Sequence, residues 1–206
     1  MKWLKYFVLV LFHPIDTFYL IKKDRKEISK LAVLLILLAA IAMKIIYVYT
    51  CNFTLSVTTA AEANALVEIG VIALPITLWA VASYAVMTVC GGESTVAETV
   101  TISIYSLAPY IVFTPLTIAL SHVFSKSEEA FFVGIQVAII AWVVILLFIG
   151  FMQSNGLKFS HALGFALLSV LAMVVIAVTF LLAFGLGAQI VTFVQELSAE
   201  IKFLLR

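Results

Sequence analysis

Five long apolar runs dominate the chain: Leu31–Thr50, Leu66–Val89, Thr99–Ser121, Ala130–Gln153 and His161–Leu186. Each reaches or exceeds the roughly 20 residues a helix needs to cross ~30 Å of hydrocarbon. Polar or turn-forming residues separate them: Asn52, the Gly91-Gly92 pair, the stretch Lys126 to Glu129, and Ser154-Asn155-Gly156. A closed β-barrel would also satisfy the backbone in lipid, but it needs segments of about ten residues with alternating polarity. These runs are continuous and rich in Leu, Ala, Val and Ile. The pattern therefore predicts an all-α polytopic membrane protein with five transmembrane helices.

The flanks follow a different pattern. Residues 1–30 form a basic, amphipathic segment, in which Lys2 and Lys5 precede an apolar run from Tyr6 to Phe12. A cleavable signal is not expected, because the run is short, stops at His13-Pro14 and lacks a small-residue cleavage site. The pattern predicts instead a helix lying on the inner leaflet. After the five-span unit, residues 31–186, the segment 187–206 predicts an amphipathic helix. Ile190, Val194, Leu197, Ile201 and Leu204 are spaced four, three, four and three apart, with Gln195, Glu196, Glu200 and Arg206 on much of the other side. Such a helix lies on the outer leaflet or packs on a helix of a partner.

Composition agrees with the hydropathy pattern. Of 206 residues, 65% are hydrophobic and 11% charged, with a mean hydropathy of +1.22, whereas soluble domains are about 25% charged. A net charge of +1 excludes the basic excess typical of a nucleic-acid binder. Two cysteines, Cys51 and Cys90, are too few for a disulfide-stapled domain. Orientation follows from the basic residues. Lys2, Lys5, Lys22, Lys23, Arg25, Lys26 and Lys30 precede the first span, and none lies between spans one and two. This places the N-terminus in the cytoplasm and, after five crossings, the C-terminus outside.

Little in the chain points to catalysis or ion conduction. Spans three, four and five carry no charge in their central turns. Lys44 and Glu68 fall near the outer ends of spans one and two, within reach of the interface and of each other. No His-Glu-x-x-His or Gly-x-Ser-x-Gly pattern is present. No catalytic residue, metal site or cofactor is expected. Asn52-Phe53-Thr54 reads as a glycosylation sequon too close to the membrane for use.

Span three is the most informative stretch. It is entered through Gly91, Gly92 and Glu93, and Thr95 with Glu98 forms a capping box. Tyr105, Pro109, Tyr110 and Pro115 follow, interleaved with Ser and Thr. Together with Pro75 in span two, they predict a kinked hairpin at the centre of the bundle. The kinks either set bundle shape or open a hydroxyl-lined cleft for a lipid or a partner helix.

These features resemble the Yip domain family, named for proteins that interact with Ypt/Rab GTPases. The resemblance rests on the Pro14-to-Phe18 turn in His-Pro-Ile-Asp-Thr-Phe, the Gly91-Gly92-Glu93-Ser94 turn that opens span three, and the Tyr105-to-Pro109 element. It implies five spans and a cytoplasmic N-terminus. Ile104 stands where a glycine usually precedes the span-three tyrosine, and the long cytosolic domain of eukaryotic members is not seen. The expected setting is therefore a prokaryotic plasma membrane, or an endomembrane in a eukaryote. Some prokaryotic members occur beside genes for carbohydrate ABC importers.

The function expected from these features is that of a non-enzymatic accessory or scaffold protein. Its partners would be other integral membrane proteins, ABC transporter permeases among them, and membrane lipids. Candidate contact residues are Pro14, Phe18, Gly91, Gly92, Glu93, Tyr105, Pro109, Ile190, Val194, Leu197 and Ile201. The competing expectation is a stand-alone transporter of lipid or small solutes using a cleft between spans two and three.

Overall fold

The computed structural model describes residues 2–25, 27–52 and 64–204, with the side chains of Lys2 and of residues 197–204 outside the description. The sequon's Phe53 and Thr54 also lie outside it. Among the described residues the chain forms eight α-helices and one 3-10 turn, Lys126–Glu128. The helices are α1 (Lys2–Phe12), α2 (Pro14–Lys23), α3 (Lys30–Thr50), α4 (Ala65–Cys90), α5 (Val96–Tyr105), α6 (Ala108–Ser121), α7 (Glu129–Ser154) and α8 (Phe159–Leu204). Five spans are long and apolar enough to cross a membrane: α3, α4, α5 with α6, α7 together with its preceding 3-10 turn, and α8.

The helix ends obey local chemistry. Ser29 and Asn64 start α3 and α4 by accepting hydrogen bonds from Leu31 N and Leu66 N. Gly91, at φ +80°, closes α4 in the left-handed conformation that glycine adopts without strain. The predicted Thr95/Glu98 capping box forms at the start of α5. Pro14 occupies the first turn of α2, where its missing N–H costs nothing.

Span three is the axis of the bundle. Its most apolar stretch is 56% buried, against 11–22% for the other four spans. The predicted kink is a break in the helix: α5 ends at Tyr105 and α6 begins at Ala108, so Pro109 sits in the first turn of a new helix. The Ser and Thr hydroxyls along it mostly serve their own backbone. Ser103 donates to Thr99 O, Ser106 to Ile102 O, and Ser121 to Ile118 O.

The structure adds detail at both flanks. The N-terminal segment does not simply lie on the leaflet. Val10 and Phe18 are fully buried, and Tyr6 and Ile21 nearly so, in one core with Ile102, Tyr105, Val143 and Leu146. The break at His13-Pro14 folds α1 against α2, and this hairpin packs on α5, α6 and α7. Its second apolar face, Leu4, Val8 and Phe12, stays exposed. The C-terminal tail is likewise not a separate helix. It continues span five without a break, making α8 a single 46-residue helix. The glycines at 185 and 187 do not interrupt it, since each costs an α-helix only about 1 kcal/mol relative to alanine.

Among the described glycines the tightest seat is Gly150 of α7. A Cβ there would collide with Ile102 Cγ2 and lie 3.4 Å from the Phe18 ring. Gly150→Ala is therefore expected to destabilise the protein by about 1–3 kcal/mol through overpacking. Adding Ile102→Ala, which empties the colliding position, should recover part of that loss in thermal unfolding measured in detergent. Additive losses would show that the two residues are not in contact.

Candidate functional site

The candidate contact residues fall into three separate places. At the end of the bundle where α4 turns into α5, the Gly91-Gly92-Glu93 turn meets α2 and the α7–α8 connection. Lys22 Nζ lies 3.2 Å from Glu93 Oε2, an exposed pair worth little by itself. A Cβ on Gly92 would lie 2.6 Å from Met87 Cε and 2.8 Å from Asn155 Oδ1, so the turn fits this seat only as glycine. Arg25 Nη1 bonds Glu98 Oε1 at 2.9 Å while the other Glu98 oxygen accepts the Thr95 N–H. Phe18 is buried against Gly150 below this cluster, and Pro14 is half-buried at the start of α2.

Tyr105 and Pro109 form the second place, the break in span three. Both are buried, and the Tyr105 hydroxyl donates to Trp3 O at 3.4 Å. They join α1 to the axis of the bundle. Ile190 and Val194, the third place, lie far along α8 and are exposed. Leu197 and Ile201 belong to the same helix, with side chains outside the described residues.

A partly open cavity of about 150 Å³ with mixed polar and apolar lining lies between α3, α6 and α7, that is, between spans one, three and four rather than spans two and three. Lys44, Tyr47, Tyr110, Thr114, Thr117 and Gln136 supply its polar lining, and Ile139 and Ile140 its apolar edge. Lys44 Nζ pairs with Glu68 Oε2 at 3.4 Å, as their positions in the sequence predict. The same ammonium sits 5.6 Å from the centre of the Tyr47 ring. Gln136 Nε2 donates to the Tyr47 hydroxyl. The signal for this cavity was present in the sequence as Tyr110, Thr114 and Thr117, one helical face of span three, and as Gln136 in an otherwise apolar stretch of span four. What the linear pattern does not contain is which neighbouring helices this face meets.

Five apolar spans, the third of them broken, with charges kept near the helix ends, define an integral multi-pass membrane protein. A family model, the Yip1 domain, matches residues 8–185, and the chain belongs to that family. Comparison with curated proteins and with solved structures finds no match for it.

Lys44 and Glu68 are both largely buried, with side-chain exposures of 22% and 9%. Removing one partner leaves an uncompensated charge, so Lys44→Met alone is expected to cost about 3–5 kcal/mol. The double variant Lys44→Met/Glu68→Leu should lie within about 1 kcal/mol of wild type in detergent unfolding, because two apolar groups need no partner. A loss in the double variant equal to the sum of the Lys44→Met and Glu68→Leu losses would show that the pair is not coupled.

Proposed function

We propose that this Yip1-family protein is an accessory or scaffold subunit that works by binding another integral membrane protein along α8, rather than by catalysis. The observation that carries this reading is the uncovered length of α8. It packs on α4 and, more lightly, on α7, yet every side chain from Val178 to Glu196 is exposed. No charged residue occurs between Ala162 and Gln195. That stretch is about 50 Å long as a helix, against ~30 Å of hydrocarbon. Even a 40° tilt, near the limit for transmembrane helices, absorbs only about half of the excess. A helix apolar on all sides is normally covered. Gly185, Gly187 and Ala188 add small side chains, which let a second helix approach closely in lipid.

The occupant that fits is a transmembrane helix of another protein, with its own apolar surface extending past the membrane rim. The family resemblance makes permease subunits of ABC-type carbohydrate importers the partner class to try first. The basic residues before span one support a cytoplasmic N-terminus, which puts the free end of α8 outside the cell. A tag at residue 206 should then be reached by impermeant reagents in intact cells, and a tag at residue 1 should not.

Purification in mild detergent is expected to retain a stoichiometric membrane-protein partner. Ile190→Glu/Val194→Glu should abolish that retention while leaving the thermal transition of the bundle within a few degrees, since neither side chain touches the rest of the fold. Recovery of free monomer alone from wild-type cells under several gentle conditions would refute the reading. Transport of lipid or solute by the isolated protein in liposomes would replace it.

A further inference from the structure

Lys44 carries three N–H donors, and its single ion pair with Glu68 occupies one of them. Lys44 lines a cavity whose remaining polar groups include the Tyr47 and Tyr110 hydroxyls and the Gln136 amide. A site rich in donors around a cation suits a small anionic group. The volume of about 150 Å³ equals the share of some five waters, enough for a phosphate and its nearest solvent. Depth narrows the ligand further. Lys44 lies about 9 Å along α3 from its end at Thr50, which places the cavity just below the membrane rim. The cavity shares Gln136 and Ile140 with an apolar strip on the outside of α7, formed by Val133, Val137 and Ala141. Polar pocket and apolar strip are thus continuous and open toward lipid.

We propose that this cavity is a binding site for an anionic phospholipid, with the phosphate seated at Lys44 and one acyl chain laid along α7. The pocket supplies the charge and the strip the chain contact, and a ligand with both parts uses both. The site lies on α3, α6 and α7, away from α8, so it stands whether or not the partner reading holds.

The test uses the full-length protein, mixed in mild detergent with phosphatidylcholine vesicles doped with phosphatidylglycerol, repurified, and assayed for bound lipid by mass spectrometry. Wild type should carry phosphatidylglycerol enriched over its share in the vesicles. Lys44→Met/Glu68→Leu, which removes the cation without stranding a carboxylate, should lower the enrichment about tenfold. Tyr110→Phe and Gln136→Leu should each lower it a few-fold, and they carry the test if the double variant does not fold. Equal retention of the two lipids by wild type would overturn the proposal. So would wild-type enrichment in folded variants, or displacement of the lipid by inorganic phosphate alone, which would reassign the cavity to a free anion.

Discussion

Lipid gives helices no reward for hiding apolar surface from it, because acyl chains are as apolar as leucine. Association in the bilayer therefore depends on how closely backbones can approach and on what the few polar groups find. In this protein both requirements converge on the third span. Ser103, Ser106, Ala108 and Ser121 line it with small side chains, and their hydroxyls are consumed by their own carbonyls. The span can then be surrounded on all sides without leaving a donor unsatisfied. Gly150 lets α7 close on Ile102 and Phe18 at once. Three outer helices, α3, α4 and α7, and the N-terminal hairpin pack on that narrow axis, and α8 packs on α4 and α7.

The two ends of the bundle are fixed by the same device. Glu68 lies in the first turn of α4 and Glu98 in the first turn of α5, where the helix dipole favours a carboxylate. Each buried carboxylate meets one cation from the preceding part of the chain, Lys44 for Glu68 and Arg25 for Glu98. Because α4 and α5 run in opposite directions, the pairs sit at opposite ends. Each fixes the register of an N-terminal element against the hairpin of spans two and three. A pair of this kind contributes modest net stability but penalises any packing that separates its members. It specifies arrangement more than it adds strength.

The hydropathy pattern made the five spans legible, and turn chemistry made their ends legible. Thr95 with Glu98 reads as a capping box because the residues that make it are three apart in sequence. Lys44 and Glu68 could be paired because both had to lie near one membrane face. The N-terminal hairpin was not legible in this way. An apolar stripe at Tyr6 and Val10 or at Phe18 and Ile21 has the same spacing whether lipid or protein covers it. Only the small-residue surface of α5 and α7, distant in sequence, decides for protein. Pro109 and Tyr105 read as a kink that either sets bundle shape or opens a cleft, and the break at Ser106-Leu107 turns them inward. The polar cavity needed three helices to meet, which no local spacing encodes.

Burial is distributed unevenly around the third span, and that asymmetry carries the functional argument. The α1–α2 hairpin covers α5, α6 and α7 on one side, so those helices present a filled surface there. On the other side α8 packs on α4 and, more lightly, on α7, and its side chains from Val178 to Glu196 are exposed. A helix that needed only to complete the bundle would end where α4 ends. Continuing it with Ile190, Val191, Phe193 and Val194 exposes apolar side chains past the point where this fold can use them. Interfacial lipid would cover one face of such a helix and leave the opposite one, equally apolar as far as Val194, facing water. A neighbouring helix would cover the extension at every depth, and that is the physical ground of the proposed partner.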